Sequence, residues 1–201
     1  MNAFSALITR VSAALTKLDF IALTSIRVYL AAVFWVAGMN KVAGFGNVVE
    51  WFGNEEWGLG LPFPALMAFL ATAAEVVGAI ALLTGFAVRL AAVPLIITML
   101  VAIFSVHWPY GWQAVADLHS PGVTDATHEA LTRLQRARDI LREHGNYEWL
   151  TDNGRYSFVV SNNGVEWGVT YLVMLLVLMS QGAGRWLSVD YWLSRRFLKP
   201  D

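Results

Sequence analysis

Four apolar runs punctuate the chain: about Phe20 to Met39, Pro64 to Thr84, Phe86 to Val106 and Gly164 to Ala183. A helix that crosses a bilayer needs roughly 20 consecutive mainly apolar residues. The pattern therefore predicts an all-α membrane protein, a four-transmembrane-helix bundle. The second and third runs meet at Thr84-Gly85, so they should form an antiparallel helical hairpin, with Gly85 at the helix C-terminus where a positive φ is often required. The fourth run is the weakest. Its unbroken apolar core, Val169 to Met179, is short, and Glu166 sits near its start.

The connections differ in character. Gly44 to Phe63 reads as a loop, too polar to span and rich in Gly and Trp, with Trp51, Phe52 and Trp57 suited to headgroup level. These rings, with Trp108, Tyr110 and Trp112, are either an aromatic belt or the mouth of a pocket for a planar ligand. Residues 108–163 read as a small extracytoplasmic insert of a helix plus a hairpin. Thr124 or Asp125 can cap the helix, which ends near Gly145, carries an apolar stripe at Val123, Leu131, Leu134 and Leu141, and pairs Glu129 with Arg133. Alternation around Asn153-Gly154 then predicts a β-hairpin. Both terminal segments, 1–18 and 185–198, carry apolar stripes with basic flanks. They read as amphipathic helices lying on an anionic leaflet or capping the bundle.

Composition supports lipid as the solvent. The 201 residues, room for one domain spanning 1–201, are 57% hydrophobic and 14% charged, against about 25% charged in soluble domains. With no cysteine, the chain offers no thiolate nucleophile and no cysteine-ligated or thiol-linked cofactor. The net charge of -1 does not point to a nucleic-acid partner. Arg10 and Lys17 come late for a cleaved signal, so the first run is expected to be retained. Basic residues cluster at both termini and at Arg89, beside the short turn, whereas carboxylates prevail in the long loops. This bias predicts a bacterial inner-membrane, multi-pass protein with both termini cytoplasmic.

Charges inside the apolar runs are the candidate chemistry. Glu75 lies nine residues from Thr84, roughly 13 Å deep, and Arg27 seven residues inside Phe20, roughly 10 Å deep. The matching depths predict a Glu75–Arg27 pair, with Arg89 a weaker candidate; alternatively Glu75 is the neutral acid or lines water. Such a pair either fixes helix register or forms a polar site suited to a quinone headgroup or proton relay. Pro94 removes a backbone donor inside the third run, which can open a cavity or simply bend the helix. A second cluster of Lys41, His107, Glu50, Glu55, Glu56, Asp117, His119 and Glu166 lies near the outer ends. It shows no HxxxH or ExxH spacing, so no metal ligands are assigned. Gly78 and nearby alanines would permit close helix approach and homo-oligomers.

With Arg27, "GMNKVAGF" (38–45), "AEVVGAIALLTGFAVR" (74–89) and His107, the chain resembles the DoxX family of small membrane proteins. "NEEWGLGLPFP" and the insert resemble its HvfX-type branch, which is associated with metal stress and modified peptides. The resemblance implies a four-helix membrane bundle and a link to quinone. It makes Arg27, Lys41, Glu75, Arg89 and His107 the family-like polar residues. The expected function is an inner-membrane subunit joining a partner redox enzyme or substrate to the quinone pool. Glu75, Arg27 and His107 are then the candidate catalytic groups, and Glu75, Arg27, Arg89, Lys41 and Trp108 the quinone-binding ones. A non-catalytic anchor for redox or peptide-modifying partners, or a small transporter, is the competing expectation.

Overall fold

A computed structural model describes residues 8, 9, 11 and 18–197. The predicted N-terminal amphipathic segment, 1–18, falls almost wholly outside them. Among the described residues every regular element is helical: α1 Asp19–Ala43, α2 Phe45–Gly53, α3 Pro64–Thr84, α4 Val88–Val101, α5 Asp125–His144, α6 Tyr147–Leu150, α7 Glu166–Gln181 and α8 Val189–Phe197. Three helices are long and apolar enough to cross a membrane: Asp19–Ala43, Pro64–Thr84 and Val88–Tyr110. Glu166–Gln181 is apolar but shorter, because Gly182 and Gly184, both at φ +82°, end the helix. The chain is a membrane protein whose apolar helices meet lipid.

Two compact units make up the chain, one of residues 1–98 and 171–201, the other of residues 99–170. In the first, α1 and α3 form the main helix pair. The core runs through Leu30, Ala31 and Phe34 of α1, Ala68, Ala79 and Leu82 of α3, Ala92 and Leu95 of α4, and Leu175 and Leu178 of α7. In lipid, apolar burial does little to drive helices together, and close packing at small residues does more. Gly38 shows it: a Cβ there would lie 2.7 Å from Val76 Cγ2 and 3.2 Å from Glu75 Cβ. Gly78 packs on Leu95 in the same way, 2.8 Å from a would-be Cβ. Gly78 is therefore used inside the chain and is not free to join two copies.

The hairpin turn forms as expected. Gly85 adopts φ +70°, and both Gly85 and Phe86 amides donate to the Ala81 carbonyl. Phe45–Gly53, expected as loop, is a helix instead. Its apolar positions, 48, 49 and 52, recur at helical spacing, and Phe52 is buried. Proline stands at the first position of α3, where its missing donor costs nothing.

In the second unit the helix beginning at Asp125 is capped as predicted. Thr124 and Thr127 exchange side-chain and backbone bonds, and Arg133 pairs with Glu129. The predicted β-hairpin is absent from the described residues. Asn146 instead caps the short helix α6 through the Trp149 amide. The Asn153 amide turns back to the Glu148 carbonyl at 2.9 Å, and Tyr156 to Thr151 at 2.9 Å. Local bonds thus satisfy the backbone, and Tyr156 and Val159 of the supposed strand remain exposed. The pairing that does occur is long-range: residues 111–116 exchange backbone bonds with 160–166, including an isolated bridge between Val115 and Ser161.

Candidate functional site

Antiparallel packing of α1 on α3 decides which buried charges meet. Gly38 stands against Glu75, which puts Lys41, one turn further along α1, within reach of the carboxylate. Lys41 Nζ donates to Glu75 Oε1 at 2.8 Å and to Oε2 at 2.7 Å. The Glu75 side chain is 3% exposed and that of Lys41 25% exposed. The carboxylate is sealed between helices, while the ammonium reaches the edge of the pair. Two of its three protons go to Glu75, and the third remains available for a ligand acceptor.

The expected Glu75–Arg27 pair does not form. Arg27 lies 11 residues before Gly38, roughly 16 Å along the helix, because depth counted from nominal span ends missed the true register. Arg27 is buried at the other end of α1. It donates to the Leu82 carbonyl at 3.2 Å, to the Leu187 carbonyl at 2.6 Å and to Thr24 Oγ1 at 3.5 Å. Those carbonyls belong to the last turn of α3 and the segment before α8, so Arg27 acts as a clasp. Gly85 completes it: a Cβ there would approach Arg27 Nη1 to 2.2 Å and Ser188 Cβ to 2.6 Å. Asp190 adds a second tie, accepting from the Ala87 and Val88 amides at 2.7 and 3.1 Å at the start of α4. Ser188 and Asp190 were not singled out from sequence, although Ser at the N-cap with Asp two residues on is a readable helix start.

Arg89 does not pair with Glu75 either. It is exposed and lies over Gly182, whose added Cβ would come 3.1 Å from Arg89 Nε. The expected quinone cavity between Glu75 and Arg27 is thus divided: Lys41 and Glu75 stand together, while Arg27 and Arg89 belong to the opposite end of the first unit.

His107 and Trp108 belong to the second unit. His107 ends six residues of π-helix, Ala102–His107, followed by a 3₁₀ turn at Trp108–Tyr110. Its Nδ1 lies 2.7 Å from the Asn163 carbonyl. A carbonyl only accepts, so Nδ1 is the donor. A cavity of about 280 Å³ borders His107, Asn163, Trp167 and Gly168. Trp108 is 60% exposed and packs on Phe104, with ring centroids 5.3 Å apart.

Two further members of the outer polar cluster take separate partners. Glu166 Oε2 accepts from the Ala114 amide at 3.0 Å. Asp117 accepts from the His119 amide at 2.9 Å and the Ser120 hydroxyl at 2.9 Å, and these bonds hold its carboxyl below the usual range. Among the described residues no group of three or more His, Asp or Glu side chains is placed to hold a metal ion.

A protein of Bacillus subtilis (strain 168) named "Putative oxidoreductase CatD" is 28% identical over 107 residues, 53% of this chain and 75% of that protein. No solved structure matches the chain. The family model described as DoxX matches residues 22–108, so Arg27, Lys41, Glu75, Arg89 and His107 all lie within the stretch that is similar to DoxX.

Proposed function

We propose that the chain is an inner-membrane subunit, with both termini cytoplasmic, that exchanges electrons with the quinone pool for a partner enzyme. The observation that carries this reading is the Lys41–Glu75 pair: a carboxylate 3% exposed among apolar helices, held by an ammonium that keeps one proton unused. Ionisable groups within membrane spans favour substrate or proton pathways over structural roles. A quinone carbonyl oxygen is an acceptor that Lys41 can hydrogen-bond, and Glu75 can take up or release the accompanying proton. Reduction of a quinone consumes two electrons and two protons. The chain has no cysteine to carry them; under this proposal the electrons come from a carrier bound by the partner or directly from the substrate. Likeness to a protein named an oxidoreductase supports the same reading. The HvfX-type branch, a metal-stress setting and a peptide-modifying partner belong to this proposal, on the strength of "NEEWGLGLPFP" and the insert.

Titration of the purified protein with ubiquinone and menaquinone analogues tests it. Saturable binding is expected, and Glu75→Gln or Lys41→Gln should weaken it in protein that remains folded. No saturable binding, or binding indifferent to both substitutions, overturns the proposal.

A second reading, an anchor without catalysis, draws on the second unit. There α5 buries only Thr127 and Leu134 and presents a long charged face to solvent. Capture of one defined partner that is lost on charge reversal along α5, with no quinone binding, would favour it.

A further inference from the structure

A groove of about 1000 Å³ opens in the first unit where α1 and α4 begin and α7 ends, with α8 along its side. Arg89 and Arg185 both line it, and among the described residues neither has a hydrogen-bond or ion-pair partner. Two carboxylates also line it. Asp190 is committed to the Ala87 and Val88 amides, and Asp19 sits in the first turn of α1, where the helix dipole favours it. The groove therefore holds two unspent guanidinium groups.

The rest of its wall is apolar and open. Leu90 is 75% exposed and Phe197 71% exposed, and Leu193 of α8 lines the groove with them. At one side Phe20 meets Trp186 edge to face, with centroids 4.8 Å apart, and tryptophan favours headgroup depth. Two cations beside exposed apolar side chains, at the ends of membrane-spanning helices, suit a ligand with an anionic head and hydrocarbon tails. A soluble anion would use the cations and leave the apolar wall in water.

We propose that this groove binds one anionic phospholipid, its phosphodiester between Arg89 and Arg185 and its acyl chains along Leu90, Leu193 and Phe197. Basic pockets between membrane helices are suited to acidic headgroups, and each basic residue near the surface contributes about a fivefold gain in affinity for them.

The test titrates the purified full chain with short-chain phosphatidylglycerol, phosphatidylcholine and inorganic phosphate, following bound lipid by native mass spectrometry. Phosphatidylglycerol is expected to bind in preference to phosphatidylcholine. R89Q/R185Q should lower its affinity roughly thirtyfold, while R195Q/R196Q, on α8 but outside the groove, should change it little. Should R89Q/R185Q fail to fold, a photoactivatable phosphatidylglycerol on the unaltered chain gives the answer: crosslinks should map to Leu90, Leu193 or Phe197. Equal losses in both double variants would mean diffuse surface charge, displacement by inorganic phosphate would mean a soluble anion site, and crosslinks spread over the helices would mean no site. Each of these outcomes overturns the proposal.

Discussion

Removing Lys41 should harm the protein far more than neutralising Glu75, although the two share one ion pair. Lys41→Met strands a carboxylate that is 3% exposed and whose two oxygens both accept from Lys41 Nζ. Breaking a buried pair in this way costs about 3–5 kcal/mol. Glu75→Leu strands an ammonium that is already 25% exposed. A lysine can extend its stem and carry its charge to water or headgroups, so the expected cost is about 1 kcal/mol. The double change Lys41→Met, Glu75→Leu removes both charges and leaves apolar groups against apolar helices. It should fall within about 1 kcal/mol of the natural protein, so the double-mutant cycle would be non-additive by about 3 kcal/mol or more. Reversible unfolding in mixed micelles, followed by the fluorescence of the nine tryptophans, supplies all three values. Equal costs for the single variants, or an additive double variant, would refute the reasoning.

Other perturbations test other parts of the structure. Gly85→Ala must hold φ +70° with a Cβ 2.2 Å from Arg27 Nη1; the left-handed backbone alone costs about 1–3 kcal/mol, and thermal unfolding should show a clear drop. The Asp117 turn should depend on pH in one direction. Its carboxyl is lowered by the His119 amide and then the Ser120 hydroxyl, so its contribution is complete above the unfolded carboxyl value, about 3.9, and is lost as pH falls through the lower folded value. Amide exchange of His119 should stay slow to that point and then quicken, and Asp117→Asn should abolish the transition.

The candidate site was half legible. Glu75 was readable as a buried carboxylate needing a partner, since a charge in an apolar helix has to be answered. Its partner was not, because Lys41 and Arg27 sit on the same helix and only register separates them. That register depends on Gly38 lying flat against Val76, a packing detail with no local signal. The hairpin at Asn153-Gly154 misled for a related reason. A turn signal holds two strands only where a partner surface exists, and here Asn146 and Thr151 close the segment locally. The pairing of 111–116 with 160–166 joins residues 44 to 54 positions apart, beyond any local pattern.

By itself the sequence determined the solvent and three of the four expected spans, the fourth run forming the shorter helix Glu166–Gln181. Bilayer thickness and helix rise turn apolar length into crossing length, and Thr84-Gly85 dictates one turn because only glycine takes that φ cheaply. Tertiary structure alone decided how the charges were shared out. Close approach at Gly38 delivered Lys41 to Glu75, and close approach at Gly85 gave Arg27 to the Leu82 and Leu187 carbonyls. Which cation answers which anion is set by the distance between helices once packed, and that distance is a property of the assembled surfaces.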